Sequence, residues 1–250
     1  MFSLILHAAP HEEDYVIAEL ADFGVLGITE EVGALRAFFD DIADRRVLLQ
    51  RFGQYRPRIE PAEDTDWAQV SRDAWPPIMV GQRFYLVPPW AQDATPPGRL
   101  RLEIEPGMAC GTGRHPATQL CLEALEKYVR PGCPVLDVGT GSGILAQAAL
   151  LLGAGRVVGC DVDTDAIAVA RARVDVPLFV GSADAVQSCS QDLIVANIDS
   201  ATVELLGPEF ARVRRPASTL ILSGFPQADL PKGFSAKQMY QREEWVCLIC

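Results

Sequence analysis

The first 60 residues alternate short apolar runs with segments in which apolar residues recur at helical spacing. The order of these segments is β-α-β-β-α-β, with Gly24 placed to end the first helix and Gly33 between the two middle strands. This order is typical of a ferredoxin-like α+β domain. We predict its strands at residues 2–7, 25–31, 34–39 and 56–60 and its helices at residues 11–23 and 41–51.

From about residue 116 the pattern changes to short buried strands that alternate with helices. Repeated β-α units favour a mostly parallel sheet with helices on both faces, and hence a Rossmann-like α/β domain. We expect this domain to end in an antiparallel C-terminal hairpin, formed by residues 235–240 and 244–250. The predicted helices are residues 117–129, 144–152 and 164–173, and the predicted strands are residues 134–138, 156–160, 178–181, 193–196 and 219–223.

The segment between these two patterns, residues 61–109, is rich in Pro and Trp and contains short strand patterns at 84–87 and 100–105. This density of rigid and bulky residues indicates a packed connector and not a flexible linker. We therefore predict a small N-terminal domain at 1–60, a connector at 61–109 and an α/β domain at 110–250.

Composition narrows the class of protein. Of the 250 residues, 49% are hydrophobic, which is enough to build a sizeable core. No apolar run approaches the roughly 18–20 residues that cross a bilayer, and residues 1–10 fit a first strand better than a signal peptide. Seven scattered cysteines suit buried thiols in a reducing cytoplasm. The pair Cys247-Leu-Ile-Cys250 lacks a second ligand pair, so we expect no metal site.

The net charge of −11 is concentrated at the front of the chain, because residues 1–75 carry 15 acidic and 7 basic residues. Nucleic acid is therefore a poor partner, since phosphate neutralisation requires an excess of Lys and Arg. A basic protein or a lysine-rich segment would complement this acidic front. An acidic surface that serves solubility alone remains an open alternative.

A glycine-rich segment follows the predicted strand at 134–138 and opens a helix, which is the usual place for a cofactor in an open α/β sheet. Its glycines permit a tight turn, and the helix N-terminus offers free N–H groups. The spacing is G-x-G-x-G, because Ile144 stands where the dinucleotide fingerprint requires glycine. A carboxylate at Asp137 would oppose a pyrophosphate and favour an α-ammonium group. The segment reads Asp137-Val-Gly139-Thr-Gly141-Ser-Gly143.

Two further polar residues stand at the ends of predicted strands. Asp161 follows Gly139 by 22 residues, and a carboxylate at this position can accept both hydroxyls of a ribose, whether the cofactor carries nicotinamide or adenosyl. Asn197 ends the fourth strand of the α/β domain, where its amide would accept a hydrogen bond from an amine nucleophile. Taken alone, Asn197 would be explained better as a cap of the next helix.

A loop with three glycines, at residues 105–115, precedes the helix predicted at 117–129. Such a loop could close over a site as a lid. His115 is a candidate base, although a single loop histidine is more often structural. Thr118 carries a hydroxyl at the start of the helix, where it could contact a cofactor.

Taken together, these segments resemble the ribosomal protein L11 methyltransferase (PrmA) family, within the class I methyltransferase fold. The resemblance covers most of the chain and rests on the combination of Gly-Thr-Gly-x-His-Pro-x-Thr at 111–118 with Val-Ala-Asn-Ile at 195–198. It is supported by the acidic front, the connector at 75–90, the glycine loop, Asp161 and Glu-Trp-Val at 244–246. The chain departs from the family's pattern at Cys110 and Arg114.

The resemblance implies S-adenosylmethionine as the cofactor, with contacts at Thr118, Gly139, Asp161 and Asn197. To these the loop chemistry adds Asp137, Gly141 and Gly143. The resemblance also implies that the N-terminal domain presents a ribosomal protein whose amino groups are methylated, with Asn197 as the catalytic candidate. Three alternatives remain. They are a diverged methyltransferase of the same family with another protein substrate, a methyltransferase-like protein that binds a basic partner without catalysis, and a nicotinamide-dependent oxidoreductase. The sequence makes no prediction about the oligomeric state.

Overall fold

The computed structural model describes residues 1–8, 16–17, 19–20, 22–31, 33–62, 75–104 and 113–250. The chain divides into two compact units, Met1–Ala74 and Trp75–Cys250. Each unit has a hydrophobic core of its own. The described strands of the predicted connector belong to the second unit.

A four-stranded sheet forms the first unit. Its strands are β1 (Phe2–Leu6), β2 (Gly27–Glu31), β3 (Ala34–Phe39) and β4 (Arg58–Pro61), and helix α1 (Arg45–Arg51) connects β3 to β4. The spatial order is β2-β3-β1-β4, and all three pairings are antiparallel. This arrangement confirms the predicted ferredoxin-like domain.

The two faces of this sheet differ in polarity, because alternate residues of a strand point to opposite faces. On one face, the ring of Phe2 stacks on that of Phe39 with 5.6 Å between centroids, and both rings are buried in the core. On the other face, Ser3 accepts a hydrogen bond of 3.1 Å from Arg36. The same guanidinium pairs with Glu60 at 3.1 Å, so one side chain ties β1, β3 and β4 together.

Two predicted helices of the first unit have different outcomes. The helix predicted at 41–51 begins only at Arg45, because Asp44 acts as its N-cap and accepts the N–H of Arg46 at 2.9 Å. The helix predicted at 11–23 lies largely outside the described residues. Of its positions, 16–17 and 19–20 are helical.

The second unit begins with a small three-stranded sheet, formed by β5 (Ile78–Val80), β6 (Phe84–Val87) and β7 (Leu100–Glu103). Phe84, Leu86 and Leu102 are fully buried in the main core of this unit. These strands therefore pack as an integral part of the second unit.

The remaining strands of the second unit form a seven-stranded sheet in the order β10-β9-β8-β11-β12-β14-β13. Neighbours among the first five are parallel, and β14 lies antiparallel between β12 and β13. This sheet confirms the predicted Rossmann-like domain with an antiparallel C-terminal hairpin. The strands are β8 (Pro134–Val138), β9 (Arg156–Asp161), β10 (Leu178–Val180), β11 (Gln191–Asn197), β12 (Arg214–Pro226), β13 (Gln238–Arg242) and β14 (Trp245–Ile249).

Helices cover both faces of this sheet. Along β8, Val135 joins a core with residues of α2 and α3, whereas Leu136 joins a second core with Phe210 of α5. Because consecutive strand residues point to opposite faces, the continuous apolar run of β8 is what a strand covered on both sides requires. The helices are α2 (Pro116–Tyr128), α3 (Ile144–Leu151), α4 (Thr164–Arg171) and α5 (Ser200–Val213).

The sequence pattern does not predict two of these elements, β5 and α5. Helix α5 contains Pro208 next to Gly207, and both residues are unfavourable in a helix interior. It forms nevertheless, because Asp199 caps its first turn and Phe210 and Val213 are buried. Strand β5 has only three residues, which is too short for alternation to reveal.

Of the seven cysteines, the six that the structure describes are free thiols, and Cys189 alone among these six is exposed. Among the described residues, no group of three His, Cys, Asp or Glu side chains is arranged to hold a metal ion. None of the helices in the described part of the chain has the length and apolar character needed to cross a membrane.

The turn between β5 and β6 is fastened to α2 by Glu126. Its carboxylate accepts the N–H of Gln82 at 2.9 Å and the N–H of Arg83 at 2.8 Å. A Cβ atom at Gly81 would lie 2.4 Å from this carboxylate, so glycine is needed for the close approach.

We expect Glu126→Ala to lower the free energy of unfolding by about 2–3 kcal/mol, because it removes an acceptor that is ionised and shared by two N–H groups. The control is Glu123→Ala on the same helix, which removes an ion pair with Arg242 of 2.7 Å and should cost about 0–1 kcal/mol. Urea denaturation followed by circular dichroism compares the two. Equal losses would contradict the assigned role of Glu126.

Candidate active site

A cavity of about 660 Å³ opens at the carboxyl ends of β8, β9 and β11. The strand order reverses between β8 and β11, and open α/β sheets bind ligands at such a switch point. Five of the seven site residues predicted from the sequence line this cavity. They are Thr118, Gly139, Gly141, Asp161 and Asn197.

The glycine loop turns on left-handed backbone at three positions, with φ of +70° at Gly139, +52° at Gly141 and +81° at Gly143. The N–H groups of Gly139 and Thr140 donate to the carbonyl of Cys160 at 2.9 and 3.0 Å, which fixes the loop to β9. A Cβ atom at Gly139 would lie 2.4 Å from Cγ2 of Ile198. Glycine is therefore required here by backbone conformation and by space.

Asp137 and Gly143 do not line the cavity, although the sequence predicts both as cofactor residues. Asp137 is fully buried behind the loop, where Oδ2 accepts from the hydroxyl of Thr140 at 2.7 Å and from the N–H of Ala146 at 3.0 Å. Its other oxygen, Oδ1, has no hydrogen-bond partner among the described residues. Burial raises the pKa of Asp137 to about 7, and its two hydrogen bonds oppose that rise.

Asp161 is held by backbone N–H groups on both of its oxygens. Oδ2 accepts from Gly141 at 2.9 Å, and Oδ1 accepts from Asp163 at 3.1 Å. A carboxylate has about four lone-pair sites, so each oxygen can accept one further hydrogen bond. The arrangement orients both oxygens at the cavity wall and leaves the capacity to bind a pair of vicinal hydroxyls.

Asn197 and Thr118 meet at the cavity although they are 79 residues apart. The Nδ2 group of Asn197 donates to Oγ1 of Thr118 at 3.1 Å. Thr118 is buried in the first turn of α2, and Asn197 is the last residue of β11. This bond uses one of the two N–H groups of Nδ2 and orients the amide, so Oδ1 remains able to accept from a donor in the cavity.

His115 is the N-cap of α2, since Nδ1 accepts the N–H of Ala117 at 3.3 Å. Its ring packs edge-on against Trp245 with 4.4 Å between centroids, and both residues line the cavity. Capping and packing are contacts that a structural histidine makes, and the ring also lines the cavity.

The structure adds cavity residues that the sequence analysis does not name. Val162 follows Asp161 and is 77% exposed, and Gly181 and Ser182 follow β10. Their signal is positional, because they come directly after strands whose carboxyl ends meet at one edge of a parallel sheet. Leu206 also lines the cavity, and no local pattern marks it. Trp245 lines it too, and it belongs to the Glu-Trp-Val segment on which the resemblance partly rests.

The donors and acceptors around the cavity fit an adenosyl amino acid. Asp161 matches the vicinal hydroxyls of a ribose, and the glycines allow the loop backbone to approach the rest of the ligand closely. Together with the strand order, this site defines a class I S-adenosylmethionine-dependent methyltransferase. The family model described as "Ribosomal protein L11 methyltransferase (PrmA)" matches residues 5–250. The chain belongs to this family.

Individual relatives agree with this assignment. The chain is 39% identical over 201 residues to a ribosomal protein L11 methyltransferase of Dechloromonas aromatica, which covers 76% of this chain and 67% of the relative. It is 40% identical over 204 residues to one of Burkholderia mallei, with 77% and 68% covered. A crystal structure of a ribosomal protein L11 methylase from Lactobacillus delbrueckii has a TM-score of 0.61 at 30% identity, covering 69% of this chain and 96% of that chain. The predicted family and cofactor are confirmed, and the nicotinamide alternative is wrong.

We expect Gly139→Ala to weaken binding of S-adenosylhomocysteine by at least about tenfold, because the new Cβ would displace the loop from Ile198. Gly132→Ala is the matched control, since Gly132 has a similar φ of +80° but open space around the new atom. It carries the same backbone strain of about 1–3 kcal/mol without the clash. Isothermal titration calorimetry measures both affinities, and similar losses in the two variants would refute the steric argument.

The raised pKa of Asp137 predicts a pH-dependent contribution to stability. The folded protein keeps a proton up to about pH 7 that the unfolded chain loses near about pH 3.9. The stability of the wild type relative to Asp137→Asn should therefore fall as pH rises between these two values, by at most about 1.4 kcal/mol per pH unit. Urea unfolding of both proteins across this range measures the difference, and a constant difference would contradict the assignment.

Proposed function

We propose that this chain transfers methyl groups to amino groups of ribosomal protein L11, on lysine side chains, on the N-terminus or on both, in the cytoplasm. When bound, S-adenosylmethionine supplies an electrophilic methyl group on a sulfonium with a good leaving group. The observation that carries the amine specificity is the hydrogen bond from Asn197 to Thr118. It leaves an amide oxygen as the acceptor for an N–H donor at the cavity.

The cofactor would be held mainly by backbone and carboxylates. Asp161 would bind the ribose hydroxyls, and Gly139 and Gly141 would let the loop backbone approach the amino-acid portion. Asp137 and Gly143 would act from behind the loop, where the negative charge of Asp137 complements an α-ammonium group and the left-handed turn at Gly143 starts α3. Thr118 would contribute its hydroxyl from α2.

The acceptor amine must be neutral before it can act as a nucleophile, and a lysine has an unperturbed pKa of about 10.4. Ile198, Leu206 and Trp245 give the cavity apolar surface, and such surroundings favour the neutral amine. The oxygen of Asn197 then orients the amine by accepting one of its hydrogens. We assign no general base, since His115 is engaged in capping α2 and packing on Trp245.

The first unit would recognise the protein acceptor. Residues 1–75 carry a net charge of −8 in a chain whose total is −11, and an acidic surface complements a basic ribosomal protein. In this proposal residues 1–60 recognise the acceptor, residues 61–109 connect, and residues 110–250 bind the cofactor and catalyse transfer. The acidic balance also makes direct binding to nucleic acid unfavourable.

We expect Asn197→Ala to lower kcat for L11 by about 100-fold, because the amine loses its orienting acceptor. Affinity for S-adenosylhomocysteine should change far less. Thr118→Val, which removes the hydroxyl that orients the amide, should give an intermediate loss of kcat. Steady-state kinetics with purified L11 and calorimetry measure both quantities, and unchanged turnover in Asn197→Ala would refute this role.

A separate experiment identifies the acceptor protein. Wild type and Asn197→Ala are incubated with S-adenosylmethionine and with ribosomal proteins from cells that lack the enzyme, and peptides are analysed by mass spectrometry. We expect methylated lysine or N-terminal peptides of L11 with the wild type alone. Methylation confined to another protein would overturn the acceptor, and the absence of any methylated protein would favour the non-catalytic alternative.

A further inference from the structure

Arg114 connects the beginning of the second unit to the wall of the active site. Its Nη2 donates to the carbonyl of Pro76 at 2.7 Å, and its guanidinium lies over the ring of Trp75, 4.6 Å from the centroid. Its Nε is buried and has no partner among the described residues. A planar guanidinium can make the hydrogen bond and the ring contact together, which an ammonium group cannot do equally well.

The backbone on each side of Arg114 is also held. At Gly113, φ is +75°, and a Cβ atom there would lie 2.5 Å from Cδ2 of Leu86 and 2.9 Å from Cδ1 of Ile144. The carbonyl of Arg114 accepts a hydrogen bond of 2.9 Å from the side chain of Gln119. The backbone at residues 113–114 is therefore closely packed, and the side chain of Arg114 ties it to Trp75 and Pro76.

The helix α2, which begins just after this position, contributes to the cavity wall. His115 caps α2 directly after Arg114, and Thr118 in the first turn accepts the hydrogen bond from Asn197. A shift at the start of α2 would move the hydroxyl that orients the Asn197 amide. Small displacements matter, because a misplacement of about 1 Å can cost about 100-fold in rate.

We propose that Arg114 is a positioning residue, which sets the orientation of Asn197 by clamping the start of α2 to Trp75 and Pro76. Trp75 is the first residue of the second unit, so the clamp joins the point where the chain enters this unit to the wall of the cavity. The expected effect on kcat rests on the proposed function, whereas the expected effect on the orientation of the Asn197 amide does not.

The test is a double-mutant cycle between Arg114→Lys and Thr118→Val. Lysine keeps the positive charge of Arg114. It lacks the planar guanidinium that donates to the carbonyl of Pro76 and lies over the ring of Trp75 at the same time. In the wild-type background we expect Arg114→Lys to lower kcat about fivefold at saturating substrates. In the Thr118→Val background the same change should lower kcat less than about twofold, because its route to Asn197 is already broken.

Arg99→Lys is the matched control. Arg99 also donates to backbone carbonyls of the small sheet, those of Gly81 at 2.8 Å and Phe84 at 3.3 Å, but has no described contact with α2. Its effect on kcat should be less than about twofold and equal in both backgrounds. A merely structural Arg114 would behave like Arg99, and equal kcat losses for Arg114→Lys in the two backgrounds would overturn the proposal.

A second measurement needs no turnover, so it separates failure of this inference from failure of the proposed function. The side-chain amide resonances of Asn197 are assigned by comparison with Asn197→Ala and recorded by NMR for each variant. We expect Arg114→Lys to shift them and Arg99→Lys to leave them unchanged. Unshifted resonances in a folded Arg114→Lys protein would overturn the proposal even if the enzyme methylates L11.

Discussion

The structure of the second unit around its cavity depends on the two hydrogen bonds that the buried carboxylate of Asp137 accepts. Asp137 stands near the end of β8, and its Oδ2 accepts from Thr140 in the glycine loop and from the N–H of Ala146 in α3. The N-cap of α3 is Gly143, which has no side chain to satisfy that N–H. One carboxylate therefore replaces the missing cap and fixes the loop between strand and helix. Desolvation opposes the charged form, and the positive end of the helix favours it.

The site has two halves, which are held together by different kinds of contact. The cofactor half is built from backbone, because the loop bonds the carbonyl of Cys160 and donates the N–H of Gly141 to Asp161. The acceptor half, as we propose it, is built from side chains of separate elements, as in the contact between Asn197 and Thr118. Backbone geometry is set by strand pairing and glycine conformation, whereas the acceptor half depends on how α2 packs.

The contrast between backbone contacts and side-chain contacts also explains how much of the fold and of the site the sequence could predict. The strand at 134–138 matches β8 to the residue, and glycine spacing and strand ends locate Gly139, Gly141 and Asp161 at the cavity. Local patterns could not show that Asp137 lies behind the loop, because its burial depends on helices packed from both sides. Helix α5 was hidden by Pro208, whose cost is offset by tertiary packing of Phe210.

The start of α2 is where the acceptor half is determined. Within four residues, His115 contacts Trp245 of β14 and Thr118 contacts Asn197 of β11, strands that are not neighbours in the sheet. The hydrogen bonds of the glycine loop run to β8 and β9, although Gly139 lies close to Ile198, the residue after Asn197. Changes at His115 and Thr118 therefore act directly on Trp245 and Asn197, whereas the hydrogen bonds that fix the glycine loop lie outside this turn.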